Sequence, residues 1–117
     1  MSPTRPKSDP NRVDVLQGTL DLLVLRVLRL EPMHGWAISH RIRQVSKDVI
    51  SIQQGSLYPS LHRLERKGWI AASWGVSENN RKAKFYRLTD TGRRRLEAEE
   101  ETWRRLATAV DRVLKHA

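Results

Sequence analysis

The chain has 117 residues, of which 38% are hydrophobic, and it carries a formal net charge of +9 at pH 7. That length suits one small domain and leaves too little core for an enzyme with a deep cleft. The chain contains no cysteine, and its four scattered histidines lack metal-ligand spacing, so we expect no disulfide, no metal and no cofactor.

Residues 1–12 contain three prolines and several polar residues but no apolar cluster. They are expected to form a flexible basic arm and not a signal peptide. No apolar run in the chain approaches the roughly 18 residues of a membrane span. We therefore expect a soluble, cytoplasmic protein with no membrane partner.

A first helix is predicted between residues 15 and 30, where apolar residues recur at helical spacing. Thr19 or Asp21 falls in its first turn, and Pro32 closes its far end. The apolar stripe is wider than one face, so one side is expected to face the core and the other a partner subunit. Leu16 and Leu20 are candidates for that subunit contact.

A second helix is predicted from His34 or Gly35 to Val45, where apolar residues again lie at helical spacing. After it, Ile50 and Ile52 are predicted to form a short strand that pairs with a later hairpin. The second helix is then placed to brace the third against a duplex.

The third helix is predicted within residues 53–70. Leu57, Leu61 and Leu64 share one face, and Gly68 is placed to end the helix in a left-handed conformation. Pro59 is then expected in the first turn, where proline is tolerated. The opposite face is small and basic, narrow enough to enter a major groove. Its members are Ser56, Pro59, His62, Arg63 and Arg66.

Residues 69–74 and 84–88 are rich in aromatic and branched side chains and predict a hairpin with a long tip. The tip carries Arg81 and Lys82, and Lys84 continues the positive charge along the second strand. Such a loop is suited to lie over phosphates. The alternative is a solvated basic hairpin without a ligand.

Most of the positive charge lies on the third helix and the hairpin, the part of the chain that is predicted to contact DNA. Ten basic and three acidic residues between His62 and Arg95 give a net charge of +7, whereas residues 97–117 have four basic and five acidic residues, a net charge of −1. Such a field attracts polyanions. Residues 13–89 therefore predict a winged helix-turn-helix domain, and the whole chain a mainly α fold with a small β wing (α+β).

Residues 90–117 predict a long C-terminal helix capped by Thr89. Leu96, Trp103 and Val110 are seven residues apart, and Leu106 and Val113 repeat that interval, which is the period of a coiled-coil seam. A helix of roughly 25 residues is about 37 Å long, more than a small domain covers, so this helix is predicted to form a dimer. The alternative is one helix packed back on its own domain.

Four segments carry a family resemblance: LQGTLDLLVLRVL at 16–28, EPMHGWAI at 31–38, QGSLYPSLHRLERKGWI at 54–70 and KFYRLTDTGRRRL at 84–96. The chain resembles the PadR family of bacterial transcriptional regulators, in particular the small members with a winged helix and one C-terminal helix. It departs from the family at Trp36, where tyrosine is commoner, and in a wing that lacks the usual glycine-arginine-proline pattern.

The resemblance implies a homodimer that binds a palindromic operator in double-stranded DNA, usually represses a neighbouring gene, and is released by a small molecule or a stress signal. It places Tyr58 and the basic wing on phosphates, although by spacing Tyr58 lies on the flank of its helix and packing against the wing is an open alternative. The candidate DNA-binding residues are Gln54, Ser56, Tyr58, Pro59, Ser60, Arg63, Asn80, Arg81, Lys82 and Lys84.

Trp103 is the candidate effector-binding residue, because the resemblance implies that an aromatic side chain at the subunit interface stacks planar ligands. The alternative is that Trp103 fills the dimer core. The competing function is that of a non-specific architectural nucleic-acid-binding protein, favoured by the basic arm and the charge. No enzymatic activity is expected, since phosphate-loop, nucleophile-elbow and zinc-protease motifs are absent from the sequence.

Overall fold

The computed structural model describes residues 16–117, so the predicted arm at 1–12 and residues 13–15 lie outside it. In chain order the elements are α1 (Gln17–Leu28), β1 (Met33–His34), α2 (Gly35–Val45), α3 (Gln54–Arg66), β2 (Ile70–Val76), β3 (Lys82–Leu88) and α4 (Asp90–His116). The three strands form one antiparallel sheet in the order β1-β3-β2. The predicted mainly α fold with a small β wing is confirmed.

The third strand of the sheet differs from the prediction. Met33 and His34 pair with Tyr86 and Phe85 of β3, whereas Ile50 takes part only in an isolated bridge. The predicted strand at Ile50 and Ile52 is therefore wrong. Both isoleucines instead pack partly buried against the core, which accounts for their apolar character without a strand.

The core lies where α1, α2 and α3 meet the sheet and the start of α4. Its buried residues are Leu20, Val24, Leu25, Leu28, Met33, Ile38, Ile42, Leu57, Leu61, Leu64, Ile70, Tyr86, Leu88 and Leu96. Thr19 falls in the first turn of α1 as predicted, whereas Asp21 lies just past that turn; the N-cap residue is Leu16, which makes no side-chain cap. The Asp21 carboxylate instead accepts hydrogen bonds from side chains of α3.

Helix α3 ends as predicted. Gly68 has a φ of 75°, its amide donates to the Glu65 carbonyl at 3.0 Å, and the Trp69 amide donates to the Leu64 carbonyl at 3.0 Å. This is the Schellman arrangement that satisfies the last carbonyls of a helix. The position predicted for Pro59 is wrong, because α3 begins at Gln54 and Pro59 falls in its second turn. The missing proline amide leaves the exposed Gly55 carbonyl to solvent.

Helix α4 begins at a tight joint with the end of α3. The Thr89 hydroxyl accepts from the Gly92 amide at 3.0 Å and donates to the Gly68 carbonyl at 2.7 Å, and the Thr89 amide donates to the Trp69 carbonyl at 3.1 Å. Gly92 is required there, since an added Cβ would lie 1.9 Å from the Trp69 carbonyl oxygen. Gly68, Trp69, Thr89 and Gly92 form what we call the α3–α4 joint.

Only the first part of α4 packs on the domain. Leu96 is buried in the core, and one turn later Glu100 accepts from Arg26 of α1 at 3.3 Å. Beyond Glu100 nearly every residue of α4 is exposed. The helix has 27 residues, a length of about 40 Å at 1.5 Å per residue, so its second half extends past the domain.

Candidate nucleic-acid interface

The exposed face of α3 is narrow and small. Gly55, Pro59, His62 and Arg66 lie at spacings of four, three and four residues, which places them on one side of the helix, and all four are exposed. Gln54 and Ser56 add exposed polar side chains at the helix start. The face therefore presents hydrogen-bonding groups and one fixed positive charge without a bulky apolar side chain.

Arg63 does not belong to that face, contrary to the prediction, and neither does Ser60, another of the candidate DNA-binding residues. Ser60 is fully buried, and its hydroxyl donates to Asp21 of α1 at 2.5 Å. The Arg63 guanidinium donates to the same Asp21 oxygen at 2.9 Å, and both side chains of this pair are about four-fifths buried. Because α3 packs against α1 along this edge, the Asp21 carboxylate of α1 attracts the Arg63 side chain toward the interior. This partner lies outside the α3 segment, so the α3 sequence alone does not predict the contact.

Among the residues that the structure describes, no acceptor lies within reach of the buried Arg63 Nε atom. Asp21 therefore satisfies only part of the guanidinium. An inward arginine held by one carboxylate positions α3 against α1, and it is a poor donor for base edges while the pair is intact.

Tyr58 lies on the opposite flank of α3, toward α2 and the wing. Its hydroxyl sits against Gly35, where an added Cβ would be 2.7 Å from the oxygen, and the side chain is 43% exposed. Glycine at the start of α2 thus makes room for the tyrosine. Of the two alternatives for Tyr58, the structure places the ring beside α2 and the wing and leaves part of it open to solvent.

The wing is a tighter hairpin than predicted. The strands pair from Ile70 with Leu88 to Val76 with Lys82, so the tip is only residues 77–81. The tip is closed by the Ser77 amide donating to the Arg81 carbonyl at 2.8 Å and by Asn80 in a left-handed conformation, φ 57°. The prediction of a long tip is wrong because the strands continue to the pair of Val76 and Lys82 through Gly75 and Ala83, and glycine, alanine and lysine have low β-propensity.

The cations of the wing are not equivalent. Arg81 and Lys82 are exposed, and the Lys82 ammonium lies 5.1 Å above the Trp74 ring. Lys84 is half-buried and forms an ion pair with Glu65 of α3 at 3.5 Å. Lys84 therefore ties the wing to the recognition helix, while Arg81 and Lys82 remain presented to solvent together with Asn80.

Tyr86 forms the buried base of the wing beneath Lys84. Burial raises the pKa of the Tyr86 phenol above its ordinary value of 10.0, and the Glu65 carboxylate and the neighbouring Tyr58 raise it further. The phenol is therefore neutral at physiological pH and adds no negative charge beside the cations.

The apolar stripe of α4 is divided between two surroundings. The dimerisation candidates Leu20 and Leu96 are 4% and 2% exposed in the single chain, so they belong to its own core and have little surface left for a partner. The remaining dimerisation candidates are exposed large hydrophobic residues: Leu16, Trp103, Leu106, Val110 and Val113. Glu99 and Glu100 separate the two parts of the stripe, and Glu100 is used by Arg26 and Arg104.

The transcriptional regulator PadR-like family matches residues 24–98 of the chain. The matched range contains α2, α3 and the whole wing, and it reaches into α4 past the α3–α4 joint. The chain belongs to the PadR-like family. It is accordingly a DNA-binding transcriptional regulator with a winged-helix fold.

Similar proteins span nearly the same length as this PadR-like chain. An uncharacterized protein of Lysinibacillus sphaericus is 30% identical over 100 residues, covering 86% of this chain and 92% of that protein. A PadR family transcriptional regulator from Eggerthella lenta has 36% identity and a TM-score of 0.73, with 86% of each chain covered. A transcriptional regulator from Clostridium thermocellum has 26% identity and a TM-score of 0.75, covering 82% of this chain and 93% of that chain.

Sequence reasoning missed three residues that shape this PadR-like site: Asp21, Gly35 and Glu65. Asp21 was detectable as an acid between two leucines of an apolar helix, but its partners on α3 were not. In residues 16–117 we find no helix with the length and hydrophobicity of a bilayer span.

Proposed function

We propose that this PadR-like regulator binds double-stranded DNA sequence-specifically as a homodimer, on a palindromic operator, and represses transcription until a small-molecule or stress signal releases it. The observation that carries the proposal is that α3 has an exposed, small face ending in Arg66, while its flank residue Tyr58 lines one groove with the exposed wing cations Arg81 and Lys82. In this proposal residues 13–89 bind DNA and residues 90–117 form the dimer.

The base contacts are assigned to the exposed face of α3. Gln54 and Ser56 lead the helix into the groove, Pro59 and Gly55 keep its surface flat, and His62 and Arg66 reach the base edges. Arg66 replaces Arg63 in this role, because it is exposed at the end of the face, and arginine commonly donates to guanine in the major groove.

The phosphate contacts are assigned to Asn80, Arg81 and Lys82 of the wing tip and to the solvent-exposed part of Tyr58. Contacts of this kind fix position on the duplex without reading sequence. Lys84 supports them indirectly, since its ion pair with Glu65 connects the wing to α3.

The dimer is assigned to the second half of α4. Trp103, Leu106, Val110 and Val113 are 47%, 59%, 48% and 62% exposed. They lie on one stripe with the spacing of a coiled-coil seam. A contiguous exposed apolar surface of this kind is uncommon on monomers, and a second copy of α4 would cover it.

The effector is assigned to the same region. Trp103, Leu106 and Val110 line a shallow apolar hollow of about 340 Å³, and Trp103 is placed to stack a planar ligand. The Trp103→Ala variant separates a sensor from a core residue. As a sensor, the variant binds the operator but ignores the effector; as a core residue, it loses dimer and DNA binding together.

The operator test starts from a pool of random duplexes selected by the purified protein, followed by fluorescence anisotropy on the enriched and scrambled sequences at about 150 mM salt. We expect an inverted repeat with half-sites one helical turn or a multiple apart and a preference of at least about a thousandfold. Failure to enrich any sequence, with binding that follows salt alone, would establish an architectural binder instead.

Three variants resolve the contacts. Arg66→Ala is expected to relax preference at one base position at a cost of about 1–3 kcal/mol, whereas Lys82→Ala weakens all duplexes evenly and shallows the salt slope by about one unit. The control is Arg112→Ala, an exposed cation on the side of α4 away from the apolar stripe. Equal losses for Arg66→Ala and Lys82→Ala on every sequence would contradict the assignment.

The dimer has its own test. Val110→Asp places a charge in the proposed seam without touching the core, and we expect a monomer by analytical ultracentrifugation, with Arg112→Ala still dimeric. The same variant should bind a single half-site as well as the parent does and lose the gain from the second half-site. A Val110→Asp protein that stays dimeric would place the interface elsewhere.

A further inference from the structure

A groove separates the start of α2 from the wing, and Tyr58 of α3 lies at one end of it. Its volume is about 730 Å³, within the roughly 300–1,000 Å³ of small-molecule sites. Its floor includes His34, Gly35 and Tyr86. The groove is distinct from the α4 seam, since no residue of α4 lines it.

Two exposed indoles line this groove. Trp36 is 58% exposed and stacks on His40 with ring centroids 4.7 Å apart and 9° between planes. Trp74 comes from β2 and is 65% exposed. Neither side chain contributes to the core, and large aromatic surfaces left open inside a concavity are typical of ligand sites. A flat aromatic ring is the ligand group that such walls stabilise best.

The rim of the groove is positive. Arg81, Lys82 and Lys84 line it, and the only carboxylate lining it is that of Glu78, which lies 3.6 Å from the His34 ring. Among the described residues, Lys84 is paired with Glu65, whereas Arg81 and Lys82 form no ion pair. Two uncompensated cations beside two indoles select for negative charge on the bound ring.

We infer that this groove binds a flat aromatic anion, a ring system bearing a carboxylate, sulfonate or phosphate. The ring stacks at Trp36 and Trp74, and the anionic group meets Arg81 and Lys82. Because Tyr58 and the wing tip also contact the proposed duplex, a molecule in this groove excludes DNA by occupying its surface. That exclusion rests on the proposed function, whereas the binding of the ring anion does not.

The test uses naphthalene-2-sulfonate as the probe and the four indole N–H signals of the ¹⁵N-labelled full chain as reporters. The chain has four tryptophans, so replacing each in turn assigns its signal. We expect saturable shifts of the Trp36 and Trp74 signals, with those of Trp69 and Trp103 unmoved. Shifts confined to Trp103, parallel shifts of all four signals, or no shift would each overturn the inference.

Matched probes separate ring from charge. Neutral 2-naphthol offers the ring alone and inorganic sulfate the charge alone, and each should bind at least about tenfold more weakly than naphthalene-2-sulfonate, which is about 1.4 kcal/mol. Equal affinity for 2-naphthol would leave the cations without a role and overturn the anion preference.

Variants locate the site and keep it separate from DNA binding. Trp36→Ala and the double variant Arg81→Ala with Lys82→Ala should each weaken the probe about tenfold or more, whereas Arg112→Ala, at an exposed cation of α4 outside the groove, should leave its affinity unchanged. Trp36→Ala binding the probe as well as the parent would refute the site. Saturating probe should also raise the apparent Kd for duplex DNA. If probe binding holds but duplex affinity does not change, the groove binds its ligand and the assigned DNA surface is wrong.

Discussion

The contact between α1 and α3 allows a sharp prediction about Arg63. Replacing Arg63 with alanine removes the guanidinium from Asp21 and leaves a carboxylate that is four-fifths buried with Ser60 as its remaining partner. We expect lower folding stability and an even loss of DNA affinity across sequences. Arg66→Ala on the same helix should do the reverse, leaving stability within about 0.5 kcal/mol and changing base preference.

The size of the stability loss follows from the burial. Exposed ion pairs contribute about 0.2–1 kcal/mol, and breaking a fully buried pair costs about 3–5 kcal/mol. Side chains that are 23% and 19% exposed with a 2.9 Å contact lie between these limits, so we expect about 2 kcal/mol for Arg63→Ala. A double-mutant cycle with Asp21→Ala should give a coupling energy of about 1–2 kcal/mol.

Urea unfolding measures the coupling energy between Asp21 and Arg63 when it is applied to the parent, both single variants and the double variant. Fluorescence anisotropy on operators with single base changes measures the base preference of each protein. The reasoning is refuted if Arg63→Ala leaves the urea midpoint unchanged while relaxing preference at one base pair. That result would mean that Arg63 leaves Asp21 and reads the duplex.

Two further predictions concern the joint and the wing base. Gly92→Ala should destabilise the fold by at least about 3 kcal/mol, because an added Cβ would lie 1.9 Å from the Trp69 carbonyl oxygen. The matched control is Gly18→Ala, which has open space around it and should stabilise the fold by about 0.5–1 kcal/mol. Thermal unfolding measures both. Since burial raises the pKa of Tyr86, the folded state keeps a proton that the unfolded state loses above pH 10, so stability should fall as pH rises from 10 toward the folded-state pKa. Tyr86→Phe should show a shallower loss over that range, and identical slopes would contradict the shift.

Local signals accounted for much of the fold. The bounds of α2, the left-handed Gly68 and the cap at Thr89 follow from residues within one or two turns of the feature, so the sequence alone predicts them. Strand β1 has only two residues and forms because β3 lies beside it. No periodicity can develop over two residues, so the isoleucines after α2 offered a stronger but misleading pattern.

The candidate site was predictable in its location and not in its orientation. The spacing within α3 correctly places Pro59 and His62 on the exposed side, opposite the buried leucines. It leaves Arg63 at the border between the exposed and the buried side. Which way a border residue turns depends on Asp21, 42 residues earlier, and that contact exists only once α1 and α3 have packed. Likewise, the heptad spacing predicts one apolar stripe along α4, while the burial of Leu96 in that stripe and of Leu20 on α1 required the tertiary structure.

The α3–α4 joint gives the molecule the mechanics of a lever. Gly92 lies directly against the Trp69 carbonyl, and the Thr89 hydroxyl is hydrogen-bonded to both Gly68 and Gly92, so the start of α4 is held closely against the end of α3. A helix about 40 Å long that pivots by roughly five degrees at this fulcrum moves its far end by about 3.5 Å. In the proposed dimer, a small change in the crossing angle of the two α4 helices would therefore change the separation of the two α3 helices by ångströms, and the stiffness of the joint would set how much of that change is transmitted.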